Sequence, residues 1–208
     1  MSTDQMYAEA NRHTTEPRDE QAMDEVELKF RLAGAAEHER LRAALQARGA
    51  THSSIEHEEN LLFDDGEAGL AATGSILRVR LLDGGPKAKL TYKGASRYDN
   101  GVKRRQEIEV DVADGGGMQA LLEALGYAVR LTYAKQRETW RSGDVEVALD
   151  TLVFGHFCEI EGPESEIRDL ARALGLDETQ AEAAGYPSLM ARYTAEAGGE
   201  RGPEIVTP

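Results

Sequence analysis

Glu25-Val26-Glu27-Leu28-Lys29-Phe30-Arg31-Leu32 alternates strictly between charged and apolar residues. A period of two is the mark of a β-strand whose side chains point to opposite faces. The even positions are Val, Leu, Phe and Leu, and every odd position carries a charge. An ordinary half-solvated strand shows mixed polar residues on its outer face. This one places two carboxylates, a lysine and an arginine there.

The pattern recurs along the chain. A second strand is expected over residues 55–64 and a third over 75–82, where Arg78 and Arg80 share a face against Leu77, Val79 and Leu81. Asp83-Gly84-Gly85-Pro86 has hairpin-turn chemistry. The fourth strand, 87–93, sets Lys87, Lys89, Thr91 and Lys93 against Ala88, Leu90 and Tyr92. Residues 94–102 read as a polar loop that could fold over a site. In the fifth strand Arg105, Glu107, Glu109 and Asp111 oppose Ile108, Val110 and Val112. The sixth, about 129–141, carries Lys135 and Arg137 on one face. The seventh sets Val145, Val147 and Leu149 against Glu146, Ala148 and Asp150, and the eighth sets Phe157, Glu159 and Glu161 against Cys158 and Ile160.

Helical spacing marks residues 35–48, closed by Gly49, and 164–174, where Ile167, Leu170, Ala171 and Leu174 form an apolar stripe. Short helices are expected over 118–125, entered by a flexible turn at Gly115-Gly116-Gly117, and over 178–184. Residues 186–190 are expected to dock on the domain. Residues 1–22 lack periodicity and read as a disordered extension. The domain is expected over 23–193, with a flexible tail at 194–208.

Eight strands with short connections predict an α+β fold: an eight-stranded antiparallel β-barrel with helices packed outside. The helices cover the apolar faces, so the charged faces point inward and form a tunnel. For any one strand a solvated, salt-bridged face is the ordinary reading. Across all of them, uncharged polar residues are too scarce for that. An unpaired buried charge costs several kcal/mol, so the interior must be hydrated, internally paired and suited to charged ligands. Clustered carboxylates favour a hard divalent cation, Mg²⁺ or Mn²⁺. Clustered arginines and lysines favour phosphate oxygens. Together they describe a metal–polyphosphate site.

Composition narrows the classes further. A net charge of −14 over 208 residues argues against a nucleic-acid coat protein. Apolar runs are too short for a membrane helix, and the first residues lack an apolar signal core. One cysteine, Cys158, leaves no internal disulfide and fits a reducing cytoplasm. The alternation of Cys158 with Glu159 places it among the buried apolar residues. His13, His38, His52, His57 and His156 show no zinc spacing. Gly115-Gly116-Gly117 matches no phosphate-binding glycine motif. Tyr92 and Trp140 are expected to pack outside the barrel. A monomer or homodimer acting on a small molecule is expected.

The chain also resembles a known family. Glu25-x-Glu27-x-Lys29 is similar to the ExExK signature of the CYTH superfamily, the triphosphate tunnel metalloenzymes. The resemblance continues in order through Arg78-x-Arg80, Lys93, Arg105-x-Glu107-x-Glu109, Lys135-x-Arg137, Asp150 and Glu159-x-Glu161. It covers roughly residues 24–193. It implies that Glu25, Glu27, Glu159 and Glu161 bind the catalytic metal, and that Glu107 and Glu109 hold a second metal or the attacking water. It implies that Lys29, Arg78, Arg80, Lys93, Arg105, Lys135 and Arg137 grip a triphosphate, with Lys29 also catalytic. Asp150 would bind metal or orient a basic residue. The implied activity is metal-dependent hydrolysis of a triphosphate, inorganic, thiamine-linked or nucleotide. The alternatives are a class IV adenylyl cyclase and a non-catalytic polyphosphate or nucleotide-binding module. Two acidic pairs argue against the last, since binding phosphate alone needs only bases.

Overall fold

The computed structural model describes residues 24–99 and 101–197. Its strands are β1 (Asp24–Leu32), β2 (Thr51–Asp64), β3 (Ile76–Leu82), β4 (Ala88–Lys93), β5 (Arg97–Asp99), β6 (Val102–Val112), β7 (Ala128–Ser142), β8 (Val145–Leu152) and β9 (Gly155–Glu161). Its helices are α1 (Ala35–Ala47), α2 (Gly69–Ala72), α3 (Gly115–Ala124), α4 (Glu164–Ala173) and α5 (Tyr186–Glu196), with a 3₁₀ turn at Glu178–Gln180. The strands run in the order β1-β9-β8-β7-β2-β3-β4-β6, and β6 pairs back onto β1. Every pairing is antiparallel, so eight strands close a barrel and leave no open edge.

Period-two alternation on each strand sorts charge from grease. Leu28 and Phe30 of β1, Val147 and Leu149 of β8 and Ile160 of β9 face outward into a core closed by Leu41 and Leu45 of α1 and Ile167, Leu170 and Ala171 of α4. Glu164 and Glu166 in the first turn of α4 and Arg172 in its last turn suit the helix dipole. A second outer core joins Leu61, Phe63, Val79 and Ala88 to Leu122 of α3. Asp114 caps α3, its side chain accepting from the Gly117 amide at 2.9 Å. The β3–β4 turn uses Asp83 (φ 51°) and Gly84 (φ 65°), the left-handed pair of a tight hairpin.

The third core lies inside the barrel. Leu62, Tyr133, Leu152 and Phe157 are the inward residues at one end, and Tyr186, Leu189 and Met190 of α5 pack onto them. The tunnel is therefore charged along most of its length and plugged with apolar side chains at one end.

Several expectations are corrected. The loop at 94–102 contains β5, which pairs with β6 on the same side as β4 and extends that strand past a break at 94–96. The second strand begins at Thr51 rather than 55. Gly115, Gly116 and Gly117 are the first residues of α3, not a flexible turn. A Cβ on Gly115 would lie 2.4 Å from Leu81 Cδ2 and 2.9 Å from Ala88 Cβ, so the glycine lets the helix start against the sheet. The helix expected over 178–184 is a 3₁₀ turn followed by extended chain, with Ala181 bridged to Phe30. Residues 186–190 do dock, as the first half of α5, which continues to Glu196. The extension called at 1–22 and most of the tail called from 194 lie outside the described residues.

Candidate active site

A cavity of about 520 Å³ runs inside the barrel. Inward residues of β1, β3, β4, β6, β7 and β9 bring Glu25, Glu27, Lys29, Arg78, Arg80, Lys93, Arg105, Glu107, Glu109, Lys135, Arg137, Glu159 and Glu161 to its wall. Asp150 is fully buried beside it.

The acidic residues gather toward the open end. Lys93 lies 2.9 Å from Glu25 and 2.6 Å from Glu107. Glu27 accepts from Lys103 at 3.0 Å and lies 3.4 Å from Lys29. Glu161 sits among Glu25, Glu27 and Glu107 at the mouth. Burial and those three carboxylates push its pKa up to about 8, against the pull of Lys93. Glu161 is exposed at its end of β9, and solvent exposure screens part of that effect. Glu109 accepts from Lys89 at 2.7 Å and from the Thr91 hydroxyl at 2.9 Å. Its burial is outweighed by Lys89, Arg80 and Thr91, and its pKa falls to about 2.

The basic residues gather deeper. Arg137 donates to Asp150 through two nitrogens, at 2.8 and 2.6 Å, and also to Glu159. Lys135 lies 3.3 Å from both Asp150 and Glu58. Burial and the charge of Arg137 lower the Lys135 pKa, against the pull of Asp150, Glu58 and Glu159. Lys29 lies 3.2 Å from Glu159 and 4.4 Å from the ring centre of Tyr186, whose hydroxyl donates to Asp150 at 2.8 Å. Burial opposes the charge of Lys29, but Glu27 and Glu159 outweigh it and raise its pKa. Arg105 is pinned by the carbonyls of Gly94 and Gly74.

Three side chains of this site were not singled out from the sequence. Glu58 is fully buried, 3.2 Å from Arg80 and 3.3 Å from Lys135. Burial favours its neutral form, yet Lys135, Arg80, Arg137 and Arg78 hold it well below the ordinary carboxylate range. Lys103 shares the inward face of β6 with Arg105, a spacing of two that could have found it. Tyr186 came from a segment expected only to dock. The expected fourfold acidic set is divided: Glu25, Glu27 and Glu161 lie together, whereas Glu159 is held by Lys29 and Arg137. Both Asp150 oxygens are engaged by Arg137, Lys135 and Tyr186.

Among the described residues, no three His, Cys, Asp or Glu side chains already converge as a metal cage. Lysines lie between the carboxylates, Lys93 between Glu25 and Glu107 and Lys29 between Glu27 and Glu159. The donor set still fits a hard divalent cation. It is all oxygen: Glu27 stands opposite Glu161 across β1 and β9, and Glu25 and Glu107 line the same cavity, so a cation there would offset their mutual repulsion. Cys158 is buried in the outer core, where burial raises its thiol pKa, so it is an inert packing group.

The barrel is closed and antiparallel, and the cavity inside it is lined by charges of both signs. The chain belongs to the CYTH domain family, whose model matches residues 23–190. It is 28% identical over 153 residues to a Methanocaldococcus jannaschii protein provisionally named an adenylate cyclase, covering 73% of this chain and 84% of that one. It is 28% identical over 178 residues to adenylate cyclase CyaB of Aeromonas hydrophila, covering 79% and 87%. Among solved structures it is similar to HpAC1 of Hippeastrum, provisionally named an adenylyl cyclase and described as revealing a dominant triphosphatase activity. That match has a TM-score of 0.65 at 22% identity and covers 81% of this chain and 96% of that one.

Proposed function

We propose that this protein is a divalent-metal-dependent hydrolase of triphosphate-containing substrates. One observation carries the reading: a single closed tunnel holds a deep basic wall and a carboxylate-rich mouth within reach of one extended polyanion. The basic wall is preorganised. Glu58 and Asp150 are fixed anions that hold Arg80, Lys135 and Arg137 in place, so little reorganisation remains when phosphate binds.

In this reading Lys29, Arg78, Arg80, Lys135 and Arg137 neutralise the phosphate chain and the charge on the leaving group. Glu25, Glu27 and Glu161 would hold Mg²⁺ or Mn²⁺, which would supply Lewis-acid stabilisation of phosphoryl oxygens when bound. Glu107 and Glu109 face the same space and orient the attacking water for in-line displacement at the terminal phosphorus. Asp150 orients Arg137 and Lys135 rather than binding metal. The activity described for HpAC1 supports this assignment.

The names of two relatives support a second reading, an adenylyl cyclase in which a ribose hydroxyl attacks the α-phosphorus. Product analysis separates the two. With Mg²⁺ or Mn²⁺, the hydrolase releases phosphate from inorganic triphosphate, thiamine triphosphate or ATP, without cyclic nucleotide. Cyclic AMP with stoichiometric diphosphate from ATP would replace the first reading with the second. Binding of triphosphate without turnover under either metal would leave only a binding module.

A further inference from the structure

A second cavity of about 440 Å³ adjoins the tunnel, formed where β5 and the start of β6 face the entry to α5. Lys103 and Arg105 line both spaces, so the second opens off the wall of the first. Those two side chains are buried, whereas Tyr98, Ser188 and Arg192 of the same chamber are exposed. The chamber therefore leads from the tunnel wall to solvent by a way other than the mouth.

Its charge sets it apart. In the tunnel, basic side chains are matched to carboxylates: Arg80 to Glu58, Arg137 to Asp150, Lys29 to Glu159 and Lys93 to Glu107. Arg105 and Arg192 have no carboxylate within ion-pair distance among the described residues. Arg105 is only 5% exposed and is held by the carbonyls of Gly94 and Gly74. Glu25, Glu27 and Glu107 act on it from farther away. A buried guanidinium without a close counter-ion carries a desolvation cost that a bound anion offsets. The carboxylate of the chamber wall, Glu182, already accepts from the Ala184 amide at 2.9 Å and lies 3.8 Å from Arg31.

The remaining donors are free. Ser188 and Arg192 stand one turn apart on α5 and both line the chamber. The hydroxyls of Ser96 and Ser188 hold no hydrogen bond among the described residues. Two guanidinium groups and two hydroxyls without acidic partners suit a small tetrahedral oxyanion.

The mouth has the opposite character, crowded by Glu25, Glu27 and Glu161. In the hydrolase reading, substrate passes it with part of its charge covered by a divalent cation. Hydrolysis then joins the water oxygen to the terminal phosphorus, breaks the bond from that phosphorus to diphosphate and passes one water proton to solvent. Free orthophosphate leaving by the mouth would meet like charge. Through the chamber it meets cations.

We propose that the chamber is an oxyanion site and the exit for orthophosphate, which passes from Arg105 to Ser188 and Arg192. This rests on the reading of the tunnel as a triphosphate hydrolase site.

The first test is calorimetry of inorganic phosphate, titrated into the full chain with the tunnel filled by non-hydrolysable imidotriphosphate and Mg²⁺. Wild type still binds phosphate. Arg192→Glu weakens that binding at least about tenfold, the scale of one charge-assisted hydrogen bond, and leaves imidotriphosphate binding unchanged. The second test follows one turnover of inorganic triphosphate, reading cleavage by rapid quench and release with a fluorescent phosphate sensor. Arg192→Glu, and Ser188→Trp, which fills the chamber from α5, keep the wild-type cleavage rate and slow release. Phosphate binding abolished by imidotriphosphate, or unchanged in Arg192→Glu, overturns the site. Release at the wild-type rate in both variants overturns the exit. If imidotriphosphate fails to bind wild type, the tunnel reading falls and the exit role falls with it, even where phosphate still binds at Arg192.

Discussion

Arg137 and Asp150 stand directly opposite each other across β7 and β8 and form a two-point ion pair, Nε to Oδ1 at 2.8 Å and Nη2 to Oδ2 at 2.6 Å. Asp150 is fully buried and also receives Tyr186 and Lys135. Asp150→Asn keeps the shape and removes the charge, leaving two buried cations under-compensated. Breaking a buried pair in this way costs about 3–5 kcal/mol. Urea unfolding checks it, with an unchanged slope and a lower midpoint. A midpoint equal to wild type would show that Asp150 does not organise the basic wall.

Glu161 gives a pH signature. Its folded pKa, near 8, lies above the ordinary carboxylate value. Between roughly pH 4.5 and 8 the folded state keeps a proton that the unfolded state has lost. Stability therefore falls as pH rises through that window, and the loss is complete above it. In chelator, the melting temperature of Glu161→Gln relative to wild type rises from pH 5.5 to pH 8.5. Adding Mn²⁺ at pH 8.5 raises the wild-type melting temperature more than that of the variant. A flat difference across pH would contradict the placement of Glu161 among carboxylates.

Lys29 touches Glu27 and Glu159 and faces the deep tunnel. Lys29→Met preserves much of its packing and removes one charge from the phosphate wall. Steady-state kinetics on inorganic triphosphate check a fall of about 10²–10³ in kcat, the usual scale for losing one preorganised stabilising group. Circular dichroism is expected to stay that of wild type. Wild-type turnover in the folded variant would remove Lys29 from the catalytic set.

Gly115 tests the fold away from the site. Its absent Cβ leaves room for Leu81 and Ala88. Gly115→Ala overpacks that contact and costs about 1–3 kcal/mol, read as a lower denaturation midpoint with kcat unchanged. A neutral or stabilising result would show that α3 shifts freely on the sheet.

Much of this was legible in the chain. Strict alternation on β1, β3, β6 and β9 fixes which residues share a face, and the helical stripe on α4 supplies their cover. Glu58 was not legible because β2 carries Glu56, Glu58 and Glu59 within four residues and is interrupted by register shifts near His52 and Leu62. Only its alignment opposite Lys135 puts Glu58 inside. The plug at the tunnel end was hidden for a related reason. Tyr186, Leu189 and Met190 read as an apolar cluster, and nothing local says that they enter the barrel rather than cover it. The division of the acidic set is a matter of side-chain partners, since Glu159 and Glu161 share a face and differ in which lysines and arginines reach them.

The most direct measurement is phosphate release from inorganic triphosphate by the purified protein, with Mg²⁺ or Mn²⁺ and then with excess chelator, alongside Glu27→Gln. The account predicts turnover by wild type with the cation, loss on chelation, recovery on adding cation back, and none in the folded variant. Equal turnover in chelator, or in Glu27→Gln, would contradict a metal–triphosphate site in this tunnel.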